Sequence, residues 1–288
     1  MKCGIHFHQA GFANDRVVIR DFVQAAEEMG FNYISVPDHV IQAGTPRGPA
    51  HTAPRFTRDF PFHETMTLLA FIAGITETIE ISSSVIILPQ RQTVLVAKQA
   101  AEIDVLCGGR FRLGVGLGWN ELEFEALGMN FGNRGRRIEE QIEVMRRLWT
   151  DERVSFDGEW HTITDAGLAP MPLQQPIPVW IGANSDVAVR RAGRLADGWF
   201  IISGDQPGEK TKAYHDKFCE AALSVGRDPG MLGIEATVHG GENDLDSWFE
   251  TAQAWKDMGA TQLTFRPSGS VDELLKAMQA FHPIARDL

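Results

Sequence analysis

Two histidines near the amino terminus, His6 and His8, have the spacing of a pair that could act together. They alternate along a strand-like segment, so both side chains point to one side, and Ile5 and Phe7 point to the other. A His-x-His pair at the end of a strand suits a metal-dependent hydrolase, but such a site needs further ligands at later strand ends. Those strand ends carry Gly, Ser and Arg, so we predict no metal and keep a hydrogen-bonded core histidine as the alternative for His6.

Three glycines, Gly114, Gly116 and Gly118, lie on one face of an extended segment and leave that face without side chains. Glycines in a strand often mark a place where a ligand approaches the backbone closely. Gly116 and Gly118 are therefore candidate contacts for a flat ring, with close packing as the alternative. The segment is not a dinucleotide-binding fingerprint, because Trp119 occupies the third glycine position of G-x-G-x-x-G.

The residues Gly182, Ala183, Asn184 and Ser185 join a predicted strand to a predicted helix that begins at Asp186. Small residues at such a junction let backbone N–H groups and the helix dipole point at an anion, and Ser185 could cap the helix. Asp186 would repel a phosphate unless its side chain turns outward, so an ordinary strand-to-helix turn is the alternative.

The elements that must position these residues alternate from one end of the chain to the other. Strands are predicted at Cys3–His8, Tyr33–Val36, Ile79–Val85, Phe111–Gly116, Pro178–Gly182, Gly198–Ile202, Leu232–Val238 and Gln262–Phe265. Helices with apolar residues at helical spacing are predicted near Asp15–Met29, Glu64–Ile75, Val94–Leu106, Arg136–Trp149, Asp186–Leu195, Glu209–Val225, Leu245–Met258 and Val271–Phe281. Eight strands, each followed by a helix, predict one (β/α)8 TIM barrel domain over residues 1–288, with an open doubly wound sheet as the alternative.

Two connections are too long for simple loops and are predicted to be insertions after barrel strands 2 and 4. Val40–Phe62 is rich in Pro, Gly and Thr, and Asp151–Gln175 contains a hairpin signal around Asp157-Gly158. Long connections in compact domains are often lids or binding loops. The first also carries Arg47, whose charge could attract an anionic ligand in this acidic protein, with a solvated arginine as the alternative.

Composition limits the classes of function. The 288 residues carry 27 Lys and Arg against 38 Asp and Glu, a formal net charge of −11, which disfavours nucleic-acid and anionic-membrane partners. The three cysteines form no CxxC pair, so we expect reduced thiols. No segment has the pattern of a signal peptide or a transmembrane helix. The sequence therefore predicts a soluble cytoplasmic protein.

Taken together, several motifs resemble the luciferase-like flavin and deazaflavin oxidoreductases over nearly the whole chain. The most specific stretch is Leu88–Trp119, which contains the glycine segment, and it resumes at Glu123–Gly128. Further matches lie at Pro178–Gly182 and Ala192–Trp199. The resemblance implies a (β/α)8 barrel whose cofactor is FMN or the deazaflavin coenzyme F420, a small-molecule substrate and a homodimer.

The resemblance also implies roles for individual residues. The cofactor phosphate would sit at the loop Gly182–Ser185, and the ring would lie in the barrel mouth. An Asp-His pair that matches Asp38-His39 lines the pocket beside the ring. Many members have a non-proline cis peptide that presses on the ring from behind, and here it would fall at Ser84-Val85.

One departure from the family concerns Trp119. In the deazaflavin-dependent sugar-phosphate dehydrogenases, a Glu that is a proposed acid stands at this position, and Trp cannot donate a proton usefully. The substrate and mechanism of that branch are therefore not transferred, and Trp119 is interpreted as a wall for an apolar substrate. The segments S-V-P-D-H, L-P-Q-R-Q and G-V-G-L-G-W-N-E resemble members assigned to the deazaflavin, so coenzyme F420 is the preferred cofactor.

We therefore hypothesise hydride transfer between coenzyme F420 and a small organic substrate. His39 is the candidate proton donor or acceptor, because imidazole can do both near neutral pH, and Asp38 either orients it or contacts the ring. His8, Arg47 and Trp119 are the candidate substrate contacts. The alternatives are an FMN-dependent monooxygenase on the same fold, a metal-dependent hydrolase and a non-catalytic cofactor carrier.

Overall fold

The computed structural model describes residues 1–9, 12, 15–44, 57–202, 204–241 and 245–288. The strands are β1 (Lys2–His6), β2 (Tyr33–Val36), β3 (Glu80–Ser83), β4 (Ile86–Ile87), β5 (Phe111–Gly116), β6 (Val154–Asp157), β7 (Thr162–Ala166), β8 (Val179–Ala183), β9 (Gly198–Ile201), β10 (Gly233–Gly240) and β11 (Gln262–Pro267). The helices are α1 (Arg16–Glu28), α2 (Thr65–Ala73), α3 (Thr93–Leu106), α4 (Glu121–Ala126), α5 (Arg134–Thr150), α6 (Asp186–Leu195), α7 (Glu209–Leu223), α8 (Leu245–Asp257) and α9 (Val271–Asp287).

Eight of the strands form a closed parallel barrel. In chain order they are β1, β2, β3, β5, β8, β9, β10 and β11. The pairing of Ile81 with Phe111 joins β3 to β5 and closes the ring. Parallel neighbours need crossover connections, and at least one helix follows each barrel strand. The predicted (β/α)8 barrel is confirmed.

The helices bury one apolar face each against the outside of the barrel, as α1 illustrates. Asp15 precedes this helix, and its carboxylate accepts hydrogen bonds from the N–H groups of Val17 and Val18. One turn further on, Phe22 and Val23 are fully buried, as expected for an amphipathic helix on a sheet. This packing places the core between strands and helices and leaves the carboxyl ends of the strands to build a site.

Both predicted insertions follow the strands to which they were assigned. The second forms the antiparallel hairpin β6–β7. Glu140 of α5 holds it, since its carboxylate accepts the N–H of Trp160 and lies 2.6 Å from Nδ1 of His161. In the first insertion, residues 45–56 lie outside the described residues, and Arg47 with them. The substrate contact assigned to Arg47 therefore stays a prediction.

Two helices differ from the prediction. Helix α4 is absent from it, because six residues are too few to show a helical period. The sequence predicts an end of the last helix at Phe281, but α9 continues through Pro283 to Asp287, because Ile284 and Leu288 pack against the core. None of the helices described is long and apolar enough to cross a membrane.

Candidate active site

A cavity of about 500 Å³ lies at the carboxyl ends of the barrel strands, where active sites in this fold are found. Every barrel strand, or the residues that follow it, contributes to the wall: His6, Asp38, Ser84, Gly116, Gly182, Ile202, Thr237 and Arg266. Small-molecule sites usually measure about 300–1,000 Å³. The cavity is therefore large enough for a cofactor or a substrate of ordinary size.

This cavity brings together nearly all of the site residues that the sequence predicts. Its wall contains His8, Asp38, His39, Ser84, Val85, Gly116, Gly118, Trp119, Gly182, Ala183, Asn184 and Ser185. Arg47 is the exception, because it lies outside the described residues. The individual roles stay predictions, but all of them require a common cavity.

A cis peptide bond joins Ser84 to Val85, at the position that the resemblance implies. The segment after β3 packs against Gly116, the last residue of β5, and against Gly118. Gly118 lies beyond the strand with a φ of +74°, so the predicted extended face does not continue to it. A Cβ on Gly116 would lie 2.5 Å from Cγ2 of Val85, and a Cβ on Gly118 would lie 2.5 Å from Cγ2 of Ile87. The space that side chains at Gly116 and Gly118 would need is therefore occupied by Val85 and Ile87. The glycines make close packing possible, and Val85 lies against Gly116 and lines the cavity.

The loop from Gly182 to Ser185 leads into α6, as predicted. Ser185 occupies the N-cap position, but its side chain makes no capping hydrogen bond, so it leaves the N–H groups of the first turn to other partners. Asp186 forms an ion pair with Lys217 of α7, with 2.7 Å between Oδ1 and Nζ. Because Lys217 offsets that negative charge, the start of α6 suits an anion.

The carboxylate of Asp38 is enclosed by hydrogen-bond donors. Oδ1 accepts from the hydroxyl of Thr65 at 3.0 Å and from Nη2 of Arg91 at 2.7 Å. Oδ2 accepts from the N–H of Ile87 at 3.0 Å, and the side chain is 0% exposed. These contacts fix the segment that follows the Ser84-Val85 cis peptide bond, a departure from regular strand structure that we call the Ser84-Val85 bulge. The described partners of the carboxylate do not include His39, although the sequence suggested that Asp38 could orient it.

His39 has a different carboxylate partner, Glu123 of α4. Nδ1 of His39 lies 3.2 Å from Oε1 and 3.3 Å from Oε2 of Glu123. Glu123 is 1% exposed, and its Oε1 also accepts the N–H of Val40 at 2.8 Å. Glu123 has no role predicted from the sequence, because a glutamate in a six-residue helix gives no sign of burial. Its place in Glu123–Gly128, a segment that resembles the luciferase-like oxidoreductases, was the feature of the sequence that could have indicated a role.

Aromatic rings continue the cavity wall on both sides of His39. The centroid of the His39 ring lies 4.8 Å from that of Phe62 and 5.9 Å from that of Trp119. Phe60 lies 5.4 Å from Phe62 and 6.4 Å from His8. These five rings form what we call the aromatic wall. The two predicted substrate contacts, His8 and Trp119, stand at its two ends.

His6 and His8 lie in surroundings that favour neutral imidazole. Burial lowers the pKa of His6 well below its usual value, and the positive charge of Arg266 acts in the same direction. Burial and Arg266 also lower the pKa of His8. Within the described part of the chain, no group of three or more His, Cys, Asp or Glu side chains could hold a metal ion. The metal-dependent hydrolase therefore has no set of metal ligands among the described residues. Both histidines are suited to form hydrogen bonds as neutral side chains.

A buried ion pair adjoins the cavity, whose floor is formed in part by Glu235 and Thr264. Nη2 of Arg112 donates to Oε2 of Glu235 at 2.7 Å, and the guanidinium lies 4.1 Å from the ring centroid of Trp180. The Thr264 hydroxyl donates to Glu235 and lies 3.0 Å from the hydroxyl of Tyr33. Burial raises the pKa of Glu235 although Arg112 opposes the shift. The floor is polar, but its charges compensate each other.

Arg134, the first residue of α5, adds a positive charge to the cavity wall. Its Cζ lies 3.7 Å from the ring centroid of Phe131, and its Nη1 donates to the Phe131 carbonyl at 2.8 Å. Nε of Arg134 is buried and has no hydrogen-bond partner within the part of the chain that the structure describes. The sequence could not single out this residue, because Arg136 and Arg137 follow it closely.

The chain is similar in sequence to known proteins. The sequence profile of the luciferase-like monooxygenase family matches residues 8–285. An F420-dependent glucose-6-phosphate dehydrogenase from Segniliparus rotundus is 33% identical over 223 residues, which are 76% of this chain and 62% of that protein.

Two solved structures share the fold over almost the whole chain. The coenzyme F420-dependent tetrahydromethanopterin reductase from Methanopyrus kandleri has a TM-score of 0.79 at 16% identity, covering 98% of this chain and 97% of that one. The monooxygenase RslO1 from Streptomyces bottropensis has a TM-score of 0.81 at 17% identity, covering 98% of both chains. The family profile, which spans nearly the full length, shows that this chain belongs to the luciferase-like monooxygenase family of flavin- and deazaflavin-dependent oxidoreductases.

Proposed function

We propose that the protein is a coenzyme F420-dependent oxidoreductase that transfers hydride between the deazaflavin and a small organic substrate. The observation that carries this proposal is the convergence of the Ser84-Val85 bulge, the Gly182–Ser185 loop and His39 on one cavity. A flat ring, an anionic tail and a proton-transferring group each find a suitable partner there. The similarity to an F420-dependent dehydrogenase supports the deazaflavin over FMN.

The cavity contains unsatisfied groups that suit a ring with polar and apolar edges. Oγ of Ser35 and Oγ of Ser84 are buried and have no hydrogen-bond partner among the described residues, although both residues line the cavity. A buried polar group without a partner costs about 1–3 kcal/mol. Carbonyl and N–H groups of a flavin-type ring would satisfy such hydroxyls, and Val85 and Ile87 offer apolar surface beside them. The residues present therefore fit the cofactor.

We assign the anionic part of the cofactor to the Gly182–Ser185 loop and Arg134. The first turn of α6 supplies N–H groups and the positive end of the helix dipole. Arg134 supplies a guanidinium from α5, whose first turn lies beside α6. That proximity follows from Gly135, where a Cβ would lie 3.3 Å from Nη2 of Arg191. Arg191 itself is paired with Glu139 at 2.8 Å, which leaves Arg134 as the better-placed cation.

The chain's own groups would act around the reacting atoms. When bound, the deazaflavin supplies a two-electron carrier that gives or takes hydride. His39 would hold or deliver the accompanying proton at the substrate atom. Phe60, Phe62 and Trp119 of the aromatic wall would exclude water and contact an apolar substrate. His8, at the other end of that wall, would offer an uncharged hydrogen bond.

We further propose that the enzyme is a homodimer. Helices α2 and α3 pack on each other and carry apolar side chains that remain 38–52% exposed: Phe71, Val94, Leu95 and Leu106. Exposed apolar groups on neighbouring helices suit a subunit interface, and a second copy of this chain would bury them. Light scattering should show a dimer that Leu95→Glu weakens. A monomeric wild-type protein would exclude the dimer, and a variant that stays fully dimeric would exclude this face.

The proposed activity is tested by titrating purified, cofactor-free protein with coenzyme F420 and with FMN while the fluorescence of the ligand is recorded. Tight, stoichiometric binding of coenzyme F420 and weaker binding of FMN are expected. A preference for FMN, together with oxygen consumption in the presence of a reductant, would instead establish an FMN-dependent monooxygenase. Binding of neither ligand would overturn the proposal.

A further inference from the structure

We propose that Glu123 is a positioning residue that fixes the orientation and tautomer of the His39 ring, so that Nε2 is the nitrogen that exchanges protons in the cavity. A role of Glu123 in catalysis rests on the proposed function. The tautomer of His39 does not, and it can be measured without cofactor or substrate.

The contact itself dictates where the ring carries its proton. Both carboxylate oxygens of Glu123 face Nδ1 of His39, at 3.2 Å and 3.3 Å. An ionised carboxylate can only accept hydrogen bonds, so the contact is favourable only when Nδ1 carries hydrogen. In the neutral ring Nε2 is then the basic nitrogen, and in the protonated ring Nε2–H is the second donor. Proton exchange through Nε2 leaves the bond to Glu123 intact.

Glu123 is itself held firmly enough to act as a reference point. Its Oε1 accepts the N–H of Val40 at 2.8 Å, and the N–H of Ile41 lies 3.4 Å away. The side chain is 2% exposed, so these donors replace water that the carboxylate has lost. Glu123 therefore contacts the imidazole of His39 and also accepts hydrogen bonds from the backbone directly after it, where the insertion after β2 begins.

Neighbouring rings restrict the imidazole further. Phe62 meets the ring of His39 at an interplanar angle of 76°, and Trp119 meets it at 65°. A half-turn of the imidazole about its Cβ–Cγ bond would place Cδ2 where Nδ1 stands and leave the buried carboxylate without that donor. Leaving a buried carboxylate without a hydrogen-bond donor is unfavourable. Glu123 thus selects one ring orientation out of two, as well as one tautomer.

The deciding experiment is a two-dimensional ¹H–¹⁵N NMR spectrum of the histidine rings in ¹⁵N-labelled, cofactor-free protein, at a pH where His39 is neutral. The His39 signals are identified as those missing from His39→Gln. We expect Nδ1 in the range of a protonated ring nitrogen and Nε2 in the range of an unprotonated one. In Glu123→Gln, the amide oxygen should keep the hydrogen bond from the N–H of Val40 and turn the NH2 group toward Nδ1, so the signals should move toward the Nε2–H tautomer.

Glu125→Gln is the matched control, since Glu125 is an exposed residue of the same helix, and it should leave the His39 signals in place. Thermal unfolding and the remaining histidine signals show whether Glu123→Gln is folded. If it is not, the wild-type spectrum alone decides the inference. A wild-type His39 with its proton on Nε2 would overturn it, and so would an unchanged tautomer in a folded Glu123→Gln.

A parallel titration with coenzyme F420 separates this inference from the proposed function. Glu123 contacts His39 rather than the space for the ring, so the affinity of folded Glu123→Gln for coenzyme F420 should stay within about threefold of wild type, about 0.65 kcal/mol. If the wild-type protein binds no coenzyme F420, the proposed function fails while the NMR result still decides the role of Glu123. If the cofactor binds but the tautomer is wrong, the positioning role fails alone.

Discussion

Replacing Gly116 by alanine tests whether β5 and the Ser84-Val85 bulge are fitted to each other. The added Cβ would lie 2.5 Å from Cγ2 of Val85, roughly 1 Å inside the contact distance of two carbon atoms. Extra atoms in a packed site cost about 1–3 kcal/mol, and alanine regains about 0.4–1 kcal/mol by restricting the unfolded chain. We therefore expect the free energy of unfolding to fall by about 1–2 kcal/mol. Val85 should also be pushed into the cavity and weaken cofactor binding.

Urea unfolding followed by tryptophan fluorescence measures the first effect, and titration with coenzyme F420 measures the second. Gly74→Ala is the control, since the nearest atom to its added Cβ is the Phe71 carbonyl oxygen at an ordinary 3.6 Å. Val85→Ala removes the methyl group that collides, so Gly116→Ala combined with Val85→Ala should show a favourable coupling of about 1 kcal/mol. The reasoning is refuted if Gly116→Ala is as stable as wild type, or if the two changes are additive.

Three further changes test other parts of the site. Burial lowers the pKa of His6 below its usual 6.5, so below that pH the unfolded chain binds more protons than the folded one and the free energy of unfolding falls. His6→Gln should reduce the dependence of the free energy of unfolding on pH by up to about 1.4 kcal/mol per pH unit. Equal pH dependences of wild type and variant, in urea titrations at pH 7 to 5, would contradict the lowered pKa of His6. Arg112→Met leaves Glu235 buried without its cation and should cost about 3–5 kcal/mol in urea unfolding; a loss below about 1 kcal/mol would show that the pair contributes little. Arg134→Gln should weaken the binding of coenzyme F420 by about tenfold or more, whereas the exposed Arg136→Gln should not, and equal affinities would remove Arg134 from the anion site.

The barrel could be predicted because its signal is spread over the whole chain. Alternating strand and helix patterns specify eight units, and α6 begins and ends at the predicted residues Asp186 and Leu195. Small residues at Gly182–Ser185 marked the loop before it. Such features depend on local residue type and spacing, which a sequence displays directly.

The contacts of Asp38, His39 and Glu123 could not be predicted, because they join residues far apart in the chain. Glu123 lies 84 residues from His39, and no periodicity connects a buried glutamate with an imidazole. The sequence suggested that Asp38 orients its neighbour His39, but consecutive side chains often point apart. The carboxylate of Asp38 instead accepts hydrogen bonds from Arg91 and from the N–H of Ile87. The glycine face was open to two interpretations until the position of the bulge against β5 was known.

A crystal structure of the protein with coenzyme F420 would show whether the cavity at the carboxyl ends of the strands is the cofactor site. We expect the ring in the cavity against Val85, the phosphate at the Gly182–Ser185 loop within reach of Arg134, and His39 facing the space beside the ring. A cofactor bound elsewhere, or a ring separated from both Val85 and His39, would show that this cavity is not the cofactor site.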